Sequence, residues 1–223
     1  MSLLKRWQFL KGYLRAPHTV GAIAPSSRAL ASALCEPFRR HHGPARLLEI
    51  GAGTGPVTRY LGSILGERDE LDICEIKPEF VEILKRDVLS HGNFASALAT
   101  RRVRLYGTAV QQLARENTYD FIISGLPFSA FGLHDVREVF DVVRRSLKPG
   151  GVFSYFEYVG MRKVSRVLAV GKERERIRKV SAFLSSNIHE HQFARRTVLR
   201  NLPPARARYL RFDSNVSVPT SFA

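Results

Sequence analysis

The run Leu47-Leu48-Glu49-Ile50-Gly51-Ala52-Gly53-Thr54-Gly55 sets three glycines at alternate positions behind an apolar stretch that holds one carboxylate. It reads as a strand feeding a tight turn that opens a helix. Glycine suits such a turn because the backbone must bend sharply and let a ligand lie against it. A nicotinamide dinucleotide fold would want a further glycine at position 56, for a pyrophosphate resting on the helix N-terminus. The chain has Pro56 there, a residue suited to the first turn of a helix. The phosphate-binding version is therefore disfavoured. Glu75 ends the next apolar run, twenty-four residues after Gly51. A carboxylate at that place can accept hydrogen bonds from both hydroxyls of a ribose. Further on stands Asp120-Phe121-Ile122-Ile123-Ser124-Gly125-Leu126-Pro127-Phe128. Ligands of open α/β sheets sit beyond the carboxyl ends of the strands, so this loop faces the same space.

These residues need a scaffold, and the hydrophobic pattern supplies one. Candidate strands are 46–50, 71–75, 102–106, 119–124 and 152–156; candidate helices are 55–65, 78–90, 108–116 and 135–146. Their alternation predicts a parallel sheet with helices on both faces. Leu147-Lys148-Pro149-Gly150-Gly151 reads as a stop and turn before the last parallel strand. A basic helical segment follows over 160–188, with Gly171 a point of interruption, and then strands over 192–200 and 205–212 around Asn201-Leu202-Pro203-Pro204. Near the start, Leu3, Trp7, Leu10 and Leu14 fall on one stripe of a helix over 3–15, opposite Lys5, Gln8, Gly12 and Arg15. Two readings of it stand: a terminal helix docked on the domain, or a helix lying in a membrane interface. The next segment is punctuated by Pro17, Gly21 and Pro25, and Ser26 or Ser27 caps a helix beginning at Arg28.

At 223 residues, 44% of them hydrophobic, the chain fits one domain with an ordinary core. Cys35 and Cys74 are the only cysteines and have no C-x-x-C spacing, which argues against a disulfide framework and a zinc site and fits a reducing cytoplasm. No signal peptide is expected, because Lys5, Arg6, Gln8 and Lys11 break the early apolar runs. No stretch approaches the ~18 apolar residues of a membrane span. The net charge of +15 is uneven: +7 over residues 1–46, −2 over 47–159 and +10 over 160–223. A near-neutral centre with basic flanks suits chemistry in the middle and a polyanion at the edges, either nucleic acid or an anionic membrane.

The glycine run with Glu49 resembles the first motif of class I S-adenosylmethionine-dependent methyltransferases, and the likeness continues in order through residues 46–156. It implies a Rossmann-like, seven-stranded, mostly parallel sheet with helices on both faces. It also implies S-adenosyl-L-methionine as cofactor, S-adenosyl-L-homocysteine as product, and no metal. Glu49, Gly51, Ala52, Gly53 and Gly55 are then expected to hold the methionine part, and Glu75 with Ile76 the ribose. Thr108 and Ala109, after the third strand, are expected at the adenine, and Ser124 completes the cofactor set.

Methyl transfer is an in-line displacement in which the enzyme chiefly aims the nucleophile. The carbonyls of Gly125 and Leu126 are expected to receive the N–H groups of an acceptor amine, and Phe128 to face the cationic methyl-bearing centre. Glu157 has two readings: a base for the substrate ammonium, or a structural partner of Arg162. Ribosomal RNA adenine dimethylases resemble the chain but carry Asn where Gly125 stands, an amide that reads the flipped base. Gly125-Leu126-Pro127, the segment from Pro17 to Ser27 and Asn201-Leu202-Pro203-Pro204-Ala205 together resemble soluble bacterial phospholipid N-methyltransferases and their ornithine lipid relatives.

That narrower resemblance implies N-methylation of a lipid amine, in successive steps, by an enzyme held peripherally on the inner face of the cytoplasmic membrane. Residues 1–45 become an amphipathic helix and a lid segment, and 46–223 the methyltransferase domain, with the basic stretch as an insertion. Tyr13, Ser26, Ser27, Pro127, Tyr155, Tyr158 and Arg162 are the expected substrate contacts. The anionic membrane surface is the expected partner, and nucleic acid is not. An RNA adenine N-methyltransferase and an inactive membrane- or nucleic-acid-binding protein of the same fold are the alternatives.

Overall fold

A computed structural model of the chain describes residues 27–212, apart from positions 92, 114 and 161–170. Seven strands form one sheet: β1 (Arg46–Ile50), β2 (Glu70–Cys74), β3 (Val103–Tyr106), β4 (Tyr119–Ser124), β5 (Leu147–Tyr158), β6 (Gln192–Val198) and β7 (Ala205–Arg211). Their order across the sheet is β3-β2-β1-β4-β5-β7-β6. The first five run parallel, and β7 enters antiparallel to both β5 and β6. This is the expected class I arrangement. Chain order reverses between β1 and β4, so the carboxyl ends of those two strands open the crevice where such sheets bind ligands.

Helices α1 (Arg28–Leu34), α2 (Glu36–Arg39), α3 (Pro56–Gly62), α4 (Pro78–Leu84), α5 (Asn93–Ala99), α6 (Leu133–Ser146) and α7 (Gly171–His191) accompany the strands. Strand alternation divides the core in two. Leu47, Ile73, Phe121 and Phe156 pack on one face with Leu30, Leu34, Val57 and Leu61 from α1 and α3. Leu48, Ile122 and Phe153 pack on the other face with Phe140 and Val143 of α6 and Val180 and Leu184 of α7. The parallel strands are apolar on both sides because both sides are covered.

Several elements depart from the sequence expectation. The helix expected over 108–116 shrinks to a 3₁₀ turn at Val110–Leu113, while α5, unforeseen, forms at Asn93–Ala99. The stop-and-turn over 147–151 is instead strand: β5 begins at Leu147, paired with Tyr119, and a register shift accommodates the Pro-Gly-Gly before Val152 meets Phe121. Such bulges re-aim a strand without ending it. Within the basic stretch, α7 starts at Gly171. Its buried residues Ile177, Val180, Leu184 and Asn187 make a helical stripe against the sheet side, and most of its charges face outward. α7 thus connects β5 to β6 and covers the sheet as it does so.

One buried carboxylate ties four strands together. Asp72 of β2 has no solvent exposure. It accepts hydrogen bonds from Arg104 Nε of β3 at 2.6 Å and from Tyr119 Oη of β4 at 2.7 Å. Arg46 of β1 approaches at 3.7 Å and Arg115 at 3.8 Å. Removing a buried charge from its partners typically costs ~3–5 kcal/mol, so Asp72→Ala should lose that much stability in chemical denaturation. Tyr119→Phe should lose about 1.5–3 kcal/mol, the value of one hydrogen bond to a charged group. Losses below about 0.5 kcal/mol in both would show the network to be dispensable.

Candidate functional site

The glycine turn leaves β1 in a conformation that side chains resist. Gly51, Gly53 and Gly55 have φ of +71°, +58° and +83°. A Cβ at Gly53 would meet nothing within 4 Å, so the turn opens on space beside its backbone. The turn is fastened to the end of β2: Gly51 N donates to Cys74 O at 2.8 Å, and Gly53 N donates to Glu75 Oε2 at 2.8 Å. Glu75 Oε1 accepts from Lys77 N at 2.9 Å. Each oxygen of Glu75 retains a further lone pair, so the same carboxylate that shapes the turn can also take ribose hydroxyls.

Glu49 lies beneath the turn at 1% exposure. Its Oε2 accepts from Thr58 Oγ1 of α3 at 2.8 Å, and its Oε1 is buried with no hydrogen-bond partner among the described residues. Burial pushes its carboxyl up to about 8; the Thr58 bond opposes the shift and the charge of Glu75 adds to it. A half-satisfied carboxylate under a glycine turn is suited to a ligand cation, which would supply the missing partner and restore the ionised form. Thr58 escapes sequence reading because a threonine nine residues downstream carries no motif of its own. Ala52 is buried, and Ile76 and Thr108 are not fully buried around the same edge. Ala109 is buried, and the Thr108 carbonyl takes a contact from Cys74 Sγ at 2.9 Å.

The loop after β4 is pressed against the glycine turn by backbone. Gly125 N donates to Ile50 O at 2.8 Å, and a Cβ on Gly125 would stand 2.5 Å from Gly51 O. Ser124 is buried and its Oγ accepts from Leu126 N at 3.2 Å. Leu126 covers Gly51, where a Cβ would strike its side chain. Pro127 is partly exposed and leads into a 3₁₀ turn, Phe128–Ala130. Arg176 of α7 braces that turn, donating to Ser129 O at 3.1 Å and to Phe131 O at 2.5 Å. Nothing in the sequence hints at this brace, since Arg176 sits within a run of outward charges.

Gly125 is small so that two loops can touch. The expectations for Phe128, Tyr155 and Tyr158 need correction. Phe128, expected to face the methyl-bearing centre, is 2% exposed, and its ring is enclosed by Phe131, Phe140, Phe153 and Tyr155 at 5.4–6.4 Å. Tyr155 belongs to the same aromatic core, and Tyr158 packs edge-on against Phe156 on the opposite face, so neither forms a pocket wall. Glu157 is held in an ion pair from β7, and Arg162, its expected structural partner, lies outside the described residues. Arg208 Nε of β7 donates to Glu157 Oε2 at 2.6 Å, a partner fifty-one residues away that only the antiparallel pairing brings close.

Ser27 uses its side chain as the N-cap of α1, accepting from Leu30 N at 3.2 Å. Tyr13, Ser26, Arg162 and the helix expected over 3–15 lie outside the described residues.

Two measurements test the cradle. Glu75→Ala removes both backbone bonds and the ribose acceptors, and at ~1.5–3 kcal/mol per bond to a charged group it should weaken S-adenosylmethionine binding at least about tenfold by calorimetry. Glu49 supplies the second. Its folded pKa lies above its ordinary 4.5, so its contribution to stability is present at acid pH and fades as pH rises through about 8. Glu49→Gln should abolish that fading in thermal melts, and the native chain should release protons on binding the cofactor near pH 7. Equal proton release in native and Glu49→Gln chains, in buffers of different ionisation enthalpy, would contradict the assignment.

Comparison with known proteins agrees with this geometry. A family described as "Methyltransferase domain" matches residues 48–153, from β1 to the middle of β5. The ornithine lipid N-methyltransferase of Singulisphaera acidiphila is 28% identical over 146 residues, covering 66% of this chain and 74% of that protein. A polyketide synthase-nonribosomal peptide synthetase of Phaeosphaeria nodorum is 31% identical over 140 residues, which is 61% of this chain but 3% of that far longer protein. Among solved structures, an O-methyltransferase from Bacillus cereus in complex with SAH superposes with a TM-score of 0.58 at 16% identity, covering 94% of this chain and 90% of that one. The sheet order, the glycine cradle and these likenesses give the chain the fold of the class I S-adenosylmethionine-dependent methyltransferases, with residues 48–153 matching a methyltransferase domain.

Proposed function

We propose that the chain transfers methyl groups from S-adenosylmethionine to the amine of a membrane-lipid headgroup, ornithine lipid first and phosphatidylethanolamine second. The similarity to an ornithine lipid N-methyltransferase over two thirds of the chain carries this reading. The cofactor supplies an electrophilic methyl group on a sulfonium. Glu49, the glycine turn and Glu75 are the residues to hold it, and the loop from Gly125 to Pro127 is the one to aim the acceptor. That loop is pinned at Gly125 N and Leu126 N and braced by Arg176, so its carbonyls are fixed in direction before substrate arrives. Preorganised acceptors of this kind orient an amine without reordering at the moment of transfer. The loop offers no side-chain amide, which suits a flexible primary amine better than a base edge.

Only a neutral amine has a lone pair for the transfer. Glu157 is engaged by Arg208, so loss of the ammonium proton falls to solvent and the rate follows the neutral fraction of the amine. Activity should therefore climb as pH rises above about 7, the range in which more of an alkylammonium gives up its proton. The test is incubation of the purified chain with methyl-labelled S-adenosylmethionine and, separately, a total lipid extract and total RNA. Label is expected in an amine-bearing lipid. Labelled RNA with unlabelled lipid overturns the reading.

A further inference from the structure

Three of the four large hydrophobic side chains most exposed among the described residues gather at one end of the sheet. Val159 is 42% exposed, Leu199 77% and Leu202 81%. All three stand beside the junction of β5, β6 and β7: Ala205 pairs with both Tyr158 and Val198, and Val159 N donates to Pro204 O at 2.7 Å. This is the carboxyl edge of the parallel strands, the edge that carries the glycine turn. It also stands proud of it. Ile123 of β4 is level with Ser154, and Tyr158 lies four residues further along β5, roughly 13 Å at ~3.3 Å per residue.

The turn over residues 199–204 is anchored from within. Asn201 is 2% exposed; its Oδ1 accepts from Ser27 N at 3.0 Å and its Nδ2 donates to Pro203 O at 2.8 Å. With that amide fixed inside, the leucines near it on either side are held outward. Leaving two leucines in water forgoes burial that their neighbours obtain. The β6–β7 hairpin itself is basic: residues 192–211 contain six arginines and no acidic residue, and of these Arg196 and Arg208 are paired with Glu36 and Glu157. Arg195 and Arg200 are exposed, and Arg206 is partly so.

A second copy of this surface would bring like charges together. Nucleic acid would take the arginines but give the leucines nothing to enter. An anionic bilayer takes both, with apolar side chains at the acyl boundary and guanidinium groups among the phosphates.

We infer that the β6–β7 turn is a membrane-docking element: Leu199 and Leu202, with Val159 beside them, enter the interface of an anionic bilayer. Arg195, Arg200 and Arg206 bind lipid phosphates around them. Docked this way, the chain turns the open edge of its cofactor cradle toward the headgroups. The purpose of this surface rests on the lipid reading above, but its test does not.

Trp7 is the only tryptophan, so Trp7→Phe with Leu202→Trp places one fluorophore on the turn. Vesicles of phosphatidylglycerol and phosphatidylcholine, which lack an acceptor amine, should shift its emission to the blue, and brominated acyl chains should quench it. Leu199→Asp with Leu202→Asp, checked for folding by circular-dichroism melting, should partition to these vesicles at least about tenfold less well. That variant should still methylate a short-chain lipid amine dispersed as monomers. Unchanged emission from the introduced indole while vesicles carry the protein down overturns the inference. So does a blue shift that follows protein concentration without lipid, which marks self-association. A native chain that labels no lipid, while the indole on the turn of the Leu202→Trp variant enters the bilayer, overturns the acceptor and leaves the docking surface standing.

Discussion

The site depends on two loops touching through their backbones. Gly125 N reaches Ile50 O, and the Gly51 carbonyl lies where any Cβ on residue 125 would have to go. Because protein interiors tolerate little overlap, this contact requires glycine at 125, while the positive φ of Gly51 and the Leu126 side chain above it require glycine there. It also fixes how the turn after β1 faces the loop after β4, and from there the rest follows. Leu126 folds over Gly51, Gly53 turns its N–H to Glu75, and the crevice at the chain reversal keeps one shape. A class I cradle is thus made by close approach more than by any one reactive group.

Glu49 carries the electrostatic strain of that cradle. A carboxylate taken out of water with one oxygen bonded and the other orphaned favours its protonated form. The fold tolerates this because Thr58 holds the side chain in place and the strand around it is fully packed. The strain is local, and a cationic ligand would relieve it. Binding energy and protonation would then be coupled at one side chain.

Much of this was legible in the sequence because the relevant signals are local. The glycine turn, Pro56 at the helix start and Glu75 at a strand end each follow from a few consecutive residues, and the alternation around them places five parallel strands. The partnerships that redirect the acceptor side are not local. Arg208 reaches Glu157 across an antiparallel pair, Arg176 braces a loop forty-five residues earlier, and Phe128 joins an aromatic core contributed by α6 and β5. An aromatic in a loop reads the same whether it faces a ligand or a core, and tertiary packing decides. The 108–116 stretch failed for a related reason: a few apolar residues propose a helix that the short connection between β3 and β4 does not extend.

The link between Ser27 and Asn201 joins residues 174 apart, and Tyr209 Oη reaches Ala33 O at 2.6 Å across a similar span. α1 therefore has partners both near and far in the sequence: Tyr60 of α3 is made soon after it, while the strands that help bury it are made much later. On a ribosome, α1 is without these partners until β7 has left the exit tunnel. Contacts of such length close slowly because loop entropy is lost before any of them forms. Late-closing contacts of this kind leave apolar surface open to association while the chain is incomplete.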